Sequence, residues 1–451
     1  MAVNKILEKL PVPCDSMHCV GIGGIGVSAI AELLLEGGFI ISGSDQEYNE
    51  NCDRLSGLGA VIAPAGHRVE NLPSADCGGV IMTSAAALSN VEVAGMLRRG
   101  VMAWKRGEFL GELCRCYQRP VMVAGSHGKS SITAMLGWIL HKCKVNSGLL
   151  LGAHYQDGSR HARLGDGDIL VAEADESDGT ISMLSGELAL ISNIDGDHAW
   201  TAEQKRQQDD CFRRFASCFN TVIYIKSDKT GEILSGMPHA RALTESDLMR
   251  LDGLVPASFL GYERTNAALT LAAAEYLQLD MAQAAAALLD YPGISRRQSL
   301  IGCTADQKIV LVEDYAHHPT ELAASLQVLE ERYSPRQMVV IFQPHRYQRL
   351  QHYFKEFVNI LSNKNLQVKL APVFSAWENP PIDGVDSADL AWHINAAGGH
   401  AEVIDSDYRR YADSLAEELS ANLERTVVAV IGAGDVNKLT RALAGTLELE
   451  S

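Results

Sequence analysis

Short apolar runs alternate with longer stretches of helical periodicity along this chain of 451 residues. Such runs are typical of strands buried in a parallel sheet, and the stretches between them can form the crossover helices that parallel strands require. The predicted strands cover residues 17–21, 39–43, 80–83, 121–124, 169–172, 188–193, 309–312, 338–342, 368–373 and 427–431. The hydrophobic pattern therefore predicts an α/β protein.

Two breaks divide the chain into three blocks. Pro120 precedes a new strand, and Tyr291-Pro292-Gly293 ends an Ala-rich helical stretch that is predicted over residues 265–289. Because the chain is too long for one ordinary core, we expect these blocks to be domains. The predicted domains cover residues 1–118, 119–293 and 294–451.

The first block contains a glycine-rich turn between a predicted strand and a predicted helix. Gly21, Gly23 and Gly26 form the pattern G-x-G-x-x-G, with Gly24 inside it, and Asp45 follows the next strand. Glycines in this context let the backbone approach a diphosphate, and an acid after the second strand can contact a ribose. The pattern alone does not separate NAD from a UDP-sugar, or either from a tight structural turn.

The second block begins with a shortened phosphate-binding motif. Gly125-Ser126-His127-Gly128-Lys129-Ser130 follows the strand at 121–124 and precedes a helix that is predicted to start near Ser131. Backbone N–H groups of such a loop can hold phosphates, Lys129 can reach the β- and γ-phosphates, and the Ser130 hydroxyl can bind Mg²⁺. The motif predicts a nucleoside triphosphate site.

Acidic residues and a histidine follow the next two strands of this block. Glu173 comes after the strand at 169–172 and opens an acidic run to Asp178, while His198 ends the sequence Asp195-Gly196-Asp197-His198. Because α/β sheets bind ligands at the carboxyl ends of their strands, we expect Glu173 to hold a divalent cation beside the phosphates. His198 can contact that cation or a phosphate, although a lone histidine at a strand end is more often structural. The other acids of the run are also typical of a solvated loop.

The third block places polar clusters after two successive strands. These clusters are Asp314-Tyr315-Ala316-His317-His318-Pro319 and Gln343-Pro344-His345-Arg346-Tyr347-Gln348-Arg349. Imidazole and guanidinium groups at neighbouring strand ends can bind a carboxylate and orient an amine. Polar turns and helix caps are the alternative interpretation.

Charge and the N-terminal residues narrow the class of function. The chain has 39 Lys and Arg residues against 56 Asp and Glu residues, a formal net charge of −17, which disfavours a nucleic-acid or membrane-surface role. The start lacks the apolar core of a signal sequence, and no apolar run is long enough to span a bilayer. We expect a cytoplasmic protein with no membrane insertion, whose ten scattered cysteines are reduced and buried.

The motifs together resemble the Mur ligases of peptidoglycan synthesis over essentially the whole chain. The matching segments are residues 20–45 (VGIGGIGVSAIAELLLEGGFIISGSD), 124–135 (AGSHGKSSITAM), 171–178 (VAEADESD), 192–198 (SNIDGDH), 314–322 (DYAHHPTEL), 342–350 (FQPHRYQRL) and 427–439 (VVAVIGAGDVNKL). The resemblance implies a Rossmann-like UDP-binding domain, a central P-loop ATPase-like domain with a parallel sheet, and a C-terminal Rossmann-like α/β domain. It also implies ATP- and Mg²⁺-dependent joining of L-alanine to the lactyl carboxylate of UDP-N-acetylmuramate through an acyl phosphate.

The resemblance also implies a role for individual residues. The UDP-sugar would be bound by Gly21, Gly23, Gly24, Gly26, Asp45, His67, Asn71, Ser84, Arg106 and His127. ATP would be bound by Gly125, Ser126, His127, Gly128, Lys129, Ser130, Ser131, Asn266 and Asp314. The metal ligands would be Ser130, Glu173 and His198, and the amino acid would lie among Tyr315, His317, His345, Arg346 and Arg349. The catalytic groups would be Lys129, His198, Arg297 and His317.

The chain departs from the family pattern in three places. The family's T-H-G-K-T-T reads Ser126 to Ser131 here, a conservative exchange of hydroxyls. The adenine-side pattern G-x-H-N-x-x-N reads Gly261 to Asn266, so only Asn266 matches, and the stretch 226–260 is short and predicts that peripheral strands are missing. These changes bear on ATP affinity and nucleotide selectivity.

Three other functions compete with alanine ligation. A ligase that joins a whole tripeptide to the same sugar shares most of the motifs, although residues 342–350 favour one small amino acid. A non-catalytic UDP-sugar-binding homologue would account for the altered adenine segment. An NAD oxidoreductase would account for the first glycine turn but not for Lys129, Glu173 or His317. The sequence allows a monomer or a homodimer.

Overall fold

The computed structural model describes residues 3–73, 76–176, 179–196, 199, 201–376, 378, 385–421 and 424–450. The chain divides into two compact units. One unit comprises Met1–Phe259 and Glu263–Pro292, and the other comprises Leu260–Tyr262 and Gly293–Ser451. Within the described residues the strands form three sheets, two in the first unit and one in the second.

The strands of the first sheet are all parallel. Its elements are β1 (Ser16–Val20), α1 (Ile25–Glu36), β2 (Ile40–Ser44), α2 (Glu50–Gly57), β3 (Val61–Ile62), β4 (Gly79–Met82), α3 (Val91–Arg98), β5 (Ala103–Lys105) and α4 (Arg106–Cys116). The strand order is β3-β2-β1-β4-β5. Because the order reverses between β1 and β4, the crevice beyond their carboxyl ends is the expected ligand position.

The second sheet is parallel except for the pair β7–β8. Its elements are β6 (Arg119–Ala124), α5 (Lys129–Lys142), β7 (Gly148–Leu150), β8 (Ala162–Arg163), β9 (Ile169–Glu173), β10 (Gly186–Ile191), α6 (Ala202–Ser217), β11 (Phe219–Ile225), α7 (Asp228–Leu234), β12 (Ala240–Leu243), α8 (Glu245–Asp252), α9 (Tyr262–Tyr276) and α10 (Met281–Leu289). The order is β12-β11-β10-β6-β9-β7-β8. The residues that follow β6, β9 and β10 therefore meet at one edge.

The third sheet is parallel except for its first strand. Its elements are β13 (Ser299–Cys303), β14 (Ile309–Asp314), α11 (Pro319–Tyr333), β15 (Gln337–Phe342), α12 (Tyr347–His352), α13 (Phe354–Leu361), β16 (Leu366–Leu370), α14 (Ser387–Ala396), β17 (Ala401–Val403), α15 (Tyr408–Ser420), β18 (Thr426–Ile431) and α16 (Asn437–Thr446). The order is β13-β14-β18-β15-β16-β17. The loops after β14, β18 and β15 are thus neighbours.

The strands of the third sheet show why continuous apolar runs predicted parallel strands. Val310 and Val312 of β14 pack in one hydrophobic cluster, with α11 and α13, while Leu311 packs in another, with α15 and α16. Because helices cover both faces of such a sheet, both sets of alternating side chains must be apolar. This burial confirms the predicted α/β class.

Two predictions of local structure were wrong. The Ala-rich stretch 265–289 is not one helix but two, α9 and α10, because Gln278 adopts a φ of +62° and the Asp280 side chain caps α10 by accepting from the N–H groups of Ala282 and Gln283. Glu173 was predicted to follow its strand, but it is the last residue of β9. The segment 226–260 contains α7, β12 and α8, and the absence of further peripheral strands of the family from it remains a prediction.

The character of the helices and the exposure of the cysteines test two further expectations. No helix in the described part of the chain has the length and apolar character needed to cross a bilayer. All ten cysteines lie in this part and are free thiols, but not all are buried, because Cys14, Cys143, Cys211 and Cys303 are half-buried and Cys218 is exposed. The expectation of buried thiols was therefore wrong for these residues.

Candidate active site

The loop after β6 has the backbone form of a phosphate-binding loop. It joins Ala124 to α5, which begins at Lys129, earlier than predicted. Gly128 has a φ of +85°, which glycine adopts without strain, and a Cβ atom here would lie 2.8 Å from the Asn266 side chain. Because the first N–H groups of a helix have no intrahelical partner, the start of α5, up to Ser131, can bind phosphate oxygens.

The carboxyl end of β10 holds this loop in place. The N–H group of Ser126 donates to the Asn193 carbonyl at 3.1 Å, and that of His127 donates to Oδ1 of Asn193 at 2.9 Å. Oγ of Ser126 accepts from the N–H group of Asp195 at 2.9 Å, and the His127 ring lies 3.0 Å from the Asp195 carboxylate. The loop is therefore preformed rather than dependent on a ligand for its shape.

Lys129 lies among carboxylates at the start of α5. Its Nζ donates to the Gly125 carbonyl at 2.6 Å and lies 2.9 Å from Oε2 of Glu176. Burial alone would lower the pKa of Lys129, but the attraction of Glu176, Asp175 and Glu173 outweighs burial and raises this pKa. Lys129 is therefore a permanent positive charge at the phosphate loop.

Ser130 and Glu173 present two oxygens that suit a hard cation. Oγ of Ser130 donates to Oε2 of Glu173 at 3.0 Å, while the N–H group of Gly152 donates to Oε1 at 2.6 Å. Ligands in adjacent positions of an octahedral Mg²⁺ site, each about 2.1 Å from the ion, lie about 3 Å apart, so the pair fits this ion. Burial raises the pKa of the Glu173 carboxyl, and the hydrogen bonds from Gly152 and Ser130 oppose that rise.

The remaining ligands of such an ion would come from outside this pair. Among the described residues, no group of three or more His, Cys, Asp or Glu side chains could hold a metal. His198, the third predicted ligand, lies outside the described residues. A site built on Ser130 and Glu173 would therefore be completed by phosphate oxygens, water or His198, as is usual for Mg²⁺.

The glycine turn of the first sheet lies at the reversal between β1 and β4. Gly21 has a φ of +79°, and a Cβ atom at this position would lie 2.5 Å from the Thr83 side chain, so only glycine fits. The N–H group of Gly23 donates to the Asp45 carboxylate at 2.8 Å, and Gly24 precedes α1 as its N-cap. Asp45 thus accepts a backbone hydrogen bond from the turn, and its predicted contact with a ribose remains a prediction.

His67 and Asn71 lie close to this turn, beside the end of β2. Nδ1 of His67 is 2.8 Å from Oγ of Ser44, and Nδ2 of Asn71 donates to Oε1 of Glu92 at 2.6 Å. Ser84 is exposed just beyond β4. Among these groups, Glu92 is completely buried and lies at the centre of the hydrogen bonds.

Arg106 connects the two parallel sheets of the first unit. It begins α4, and its side chain packs against Gly26, where a Cβ atom would lie 2.6 Å from the Cδ atom of Arg106. Its Nη2 donates to the Asp175 carboxylate at 3.3 Å. Arg106 thus lies between the glycine turn after β1 and the acidic run after β9, and its contact with the UDP-sugar remains a prediction.

The second unit has a row of rings beyond β14 and β15. The ring centroids of Tyr315 and His317 are 5.4 Å apart, and those of His317 and His345 are 5.6 Å apart. Nη1 of Arg349 lies 3.2 Å from Nδ1 of His345, and Arg349 is 2% exposed. The structure therefore brings together Tyr315, His317, His345 and Arg349, whose common role remains a prediction.

Arg346 belongs to the same loop but is directed to a different group. Its Nε lies 2.9 Å from Oε1 of Glu378. Its φ of +69° is unfavourable for a side chain larger than glycine, and its N–H group donates to the Phe374 carbonyl at 2.8 Å. The stacked rings of His345 and Phe374 further fix this turn. Strained backbone of this kind persists where the surroundings hold it, often at functional sites.

Arg297 and Asp314 lie on either side of the β14 end. Nη1 of Arg297 is 3.4 Å from Oε1 of Glu321, and its guanidinium group lies over the Tyr315 ring at 5.2 Å. Burial would lower the pKa of Arg297, but Glu321 and Asp314 outweigh burial and raise it. Arg297 therefore remains a cation.

Asp314 differs from its predicted position. It is the last residue of β14, not the residue after the strand, and it is 2% exposed. Its carboxylate accepts from Nε2 of Gln298 at 2.6 Å, from Oγ of Ser325 at 2.9 Å and from the N–H group of Ala316 at 3.0 Å. These bonds fix the turn after β14, and the contact with an ATP ribose remains a prediction.

Comparison with known proteins decides the family. Residues 16–118 match the family described as Mur ligase family, catalytic domain, and residues 296–444 match the one described as Mur ligase, glutamate ligase domain. A UDP-N-acetylmuramate–L-alanine ligase of Desulfatibacillum aliphaticivorans is 32% identical over 453 residues, covering 94% of this chain and 97% of the relative. The chain belongs to the Mur ligase family.

Solved structures of Mur ligases share the fold described above. The UDP-N-acetylmuramate–alanine ligase of Thermotoga maritima has a TM-score of 0.76 and 23% identity, covering 96% of this chain and 99% of that one. A murein peptide ligase of Psychrobacter arcticus has a TM-score of 0.67 and 20% identity, with the same shares covered. The predicted resemblance and fold class are confirmed.

Sequence reasoning assigned no role to three buried residues that lie near the predicted site residues. Glu176 was left open as a solvated acid but is 6% exposed and paired with Lys129. Glu92 was not singled out, although an acid after Asn90 at a helix start is a visible signal. Gln343 donates to Asp435 at 2.9 Å and accepts from the N–H group of Val436 at 3.1 Å, which joins the loops after β15 and β18. No pattern in the sequence indicates that pairing.

Proposed function

We propose that this Mur ligase joins L-alanine to the lactyl carboxylate of UDP-N-acetylmuramate at the expense of ATP, in the synthesis of peptidoglycan precursors. The observation that carries the proposal is identity of 32% along nearly the whole chain with a ligase of that name, in a chain that also has the preformed loop with Lys129 and Ser130. The phosphate loop supports ATP as the energy source, because its N–H groups and lysine suit a triphosphate.

ATP would lie on the loop between Gly125 and Ser131. Lys129 would neutralise charge on the β- and γ-phosphates, and Asn266 would approach the loop from α9. Ser130 and Glu173 would hold Mg²⁺, with His198 as a further candidate ligand. The ion would supply positive charge beside the phosphates.

The nucleotide-sugar would lie beyond β1 and β4. N–H groups of the turn from Gly21 to Gly26 would meet the diphosphate, with Asp45, His67, Asn71 and Ser84 around the nucleoside. Arg106 supports this arrangement because it contacts both the turn and the acidic run. His127, on the ATP loop, would face the muramic acid.

The amino acid would be bound by the row of groups in the second unit. Arg346 and Arg349 supply positive charge for its carboxylate, and Tyr315, His317 and His345 enclose a small side chain. The short distances between these groups favour this arrangement. The ring centroids of His317 and His345 are 5.6 Å apart, and Nη1 of Arg349 is 3.2 Å from Nδ1 of His345.

The chemistry follows from these charges in two steps. The lactyl carboxylate attacks the γ-phosphorus, ADP leaves, and Lys129 and Arg297 offset the negative charge that develops on the transferred group. The amine of alanine, after losing a proton, then attacks the carbonyl carbon of the acyl phosphate, and inorganic phosphate leaves as the amide forms. His317, whose ring contacts those of Tyr315 and His345, would orient the incoming amine.

Phosphate release is the assay that tests this proposal. The purified chain is given ATP, Mg²⁺ and UDP-N-acetylmuramate with L-alanine, glycine, L-serine or the tripeptide L-Ala-γ-D-Glu-diaminopimelate. We expect release to require all substrates and to be fastest with alanine. Tripeptide ligation without alanine ligation would assign the chain to peptide recycling, and UDP-sugar binding without turnover would make it a non-catalytic homologue.

Two further properties belong to this proposal. We place the reaction in the cytoplasm, where ATP is supplied, and we expect the enzyme to work as a monomer or a homodimer on small-molecule substrates alone. The domain ranges 1–118, 119–293 and 294–451 would then correspond to the UDP-sugar, ATP and amino-acid parts.

A further inference from the structure

Glu92 is a completely buried acid that the proposed reaction does not use. It is the second residue of α3 and is 0% exposed. Its Oε1 accepts from the N–H group of Arg68 at 2.9 Å and from Nδ2 of Asn71 at 2.6 Å. Its Oε2 accepts from Oγ of Ser44 at 2.5 Å and from Nε2 of His18 at 3.2 Å. One carboxylate thus joins β1, β2, α3 and the segment 66–71.

Every group around this carboxylate donates a hydrogen bond. An ionised carboxylate only accepts, so it satisfies all four partners at once, whereas an amide would turn its own N–H donors toward them. Because an ionised carboxylate only accepts, Nε2 of His18 carries the proton that faces Glu92, and Nδ1 of His18, 2.9 Å from Oγ of Ser42, can accept from that hydroxyl. Burial would raise the pKa of Glu92, but these hydrogen bonds outweigh it and lower the pKa to about 2.

The same bonds decide where His67 carries its proton. The Ser44 hydroxyl has one hydrogen, and because its oxygen is 2.5 Å from an ionised carboxylate, that hydrogen must lie between Ser44 and Glu92. The Ser44 oxygen then accepts from Nδ1 of His67 at 2.8 Å. A neutral His67 therefore has its proton on Nδ1 and a lone pair on Nε2. The ring is one-tenth exposed.

We propose that Glu92 is a positioning residue for the nucleotide-sugar. Through Ser44 it sets the tautomer of His67, so that Nε2 accepts a hydrogen bond from a donor of the bound nucleoside, and through Arg68 and Asn71 it holds the segment 66–71 beside β2. The inference rests on the proposed function and deepens it, because it assigns His67 an acceptor role toward an imide N–H or a ribose hydroxyl.

Kinetics of three variants test this role. Glu92→Gln keeps the shape but mismatches the donors, so the KM for UDP-N-acetylmuramate should rise about tenfold or more, while kcat and the KM values for ATP and alanine stay within about twofold. Glu92→Asp keeps the acceptor and should recover part of the affinity. Glu70→Gln removes an exposed charge from the same segment and should leave all parameters unchanged.

Several kinetic results would overturn the inference. Unchanged affinity in Glu92→Gln would do so, as would an equal loss in every parameter together with a lower melting temperature, because that is a merely structural role. If the unaltered enzyme does not bind UDP-N-acetylmuramate at all, the proposed function fails first. Normal binding by the unaltered enzyme and by Glu92→Gln sinks only the role of Glu92.

Spectroscopy supplies a readout that does not depend on turnover. In protein labelled with ¹⁵N-histidine, with the His67 signals assigned by His67→Gln, long-range spectra should show the Nδ1–H tautomer, and Ser44→Ala should lose that preference while staying folded. Affinities for UDP, 2′-deoxy-UDP and N3-methyl-UDP then identify the donor, since only the analogue that lacks it should bind equally well to the unaltered enzyme and to Ser44→Ala. An Nε2–H tautomer in the unaltered enzyme would overturn the proposal.

Discussion

A lysine that is to meet a polyphosphate must stay charged while it is partly buried, and Lys129 does so through its neighbours. Its amine is 2.9 Å from the Glu176 carboxylate, in a position where burial alone would favour the neutral form. The pairing keeps the lysine ionised but also means that a phosphate must compete with Glu176 for it. Acidic residues that are distant from the motif in the sequence, above all Glu176, therefore keep Lys129 charged.

Removing this charge should abolish ligation without affecting the sugar site. Lys129→Ala should cost on the order of 3 kcal/mol of transition-state stabilisation or more, because the lysine offsets charge on the transferred phosphoryl group. Affinity for UDP-N-acetylmuramate should stay within a few-fold, since most of the residues proposed to bind it belong to the first sheet and its loops rather than to the loop with Lys129. The measurements are steady-state turnover and calorimetric binding.

The control for this variant is Lys142→Ala at the other end of α5. Lys142 is partly exposed and pairs only loosely with Asp290, at 3.5 Å. It should retain full activity. Normal turnover by Lys129→Ala would show that this loop is not the ATP site.

The Ser130–Glu173 pair makes a separate prediction about metal dependence. Glu173→Gln keeps the shape and the bond to Gly152 but removes the charge that a hard cation requires, so activity should fall steeply and recover only partly at high Mg²⁺. A Mg²⁺ titration of turnover measures this. Asp168→Asn, an exposed acid just before β9, should titrate like the unaltered enzyme. Identical titrations for Glu173→Gln and the unaltered enzyme would remove Glu173 from the metal site.

At the scale of elements, the sequence predicted the strands better than the points at which helices end and begin. β14 and β18 are buried along their whole length, so each appears in the sequence as a continuous apolar run that predicts a strand. The break between α9 and α10 was missed because alanines continue on both sides of it and only the Asp280 cap marks it. A single capping side chain carries less signal than a run of helix formers.

This cap gives a stability prediction. Asp280→Ala should lower the free energy of unfolding locally by about 1 kcal/mol, because two N–H groups of α10 lose their acceptor, and should leave the kinetic constants unchanged. Hydrogen exchange of the peptide that contains α10 measures the local effect. Asp280→Asn can still accept these bonds and should behave like the unaltered enzyme. No change in exchange in Asp280→Ala would mean that packing alone holds the helix.

The residues of the candidate site also differ in how well the sequence predicts them. The positions of Glu173 and His345 near strand ends and of Lys129 near the start of a helix could be predicted, because motifs place them close to apolar runs, while their roles remain predictions. Glu92 and Glu176 could not, since their importance lies in partners from other elements. The predicted contact of Asp314 with ATP remains a prediction, but its three hydrogen bonds to Gln298, Ser325 and Ala316 could not be predicted. Spacing along the chain does not indicate such partners.

At the scale of the whole molecule, a net charge of −17 must be reconciled with substrates that are all anionic or carry a carboxylate. In the described residues, the cations among the predicted site residues are Lys129 and Arg106 in the first unit and Arg297, Arg346 and Arg349 in the second. Four of them pair with carboxylates, namely Lys129, Arg106, Arg297 and Arg346, so an anionic substrate would compete with these acids. The overall field repels anions, so under the proposed function the attraction would come from these local groups. Substrate choice therefore depends on a few side chains, which makes it testable.

The amino-acid panel tests this dependence most directly. If Tyr315, His317 and His345 enclose the side chain, one methyl group is worth only about 1–3 kcal/mol, so alanine should exceed glycine in kcat/KM by roughly ten- to two-hundredfold, and serine should be a poor but real substrate.

Arg349→Lys keeps the charge but loses the planar fork beside His345, so it should raise the KM for alanine more than that for ATP. Steady-state kinetics with each substrate varied in turn measure both effects. Equal use of alanine and glycine would contradict an enclosing pocket, and an ATP KM that rises as much as the alanine KM would place Arg349 in general folding, which its burial at 2% exposure also allows.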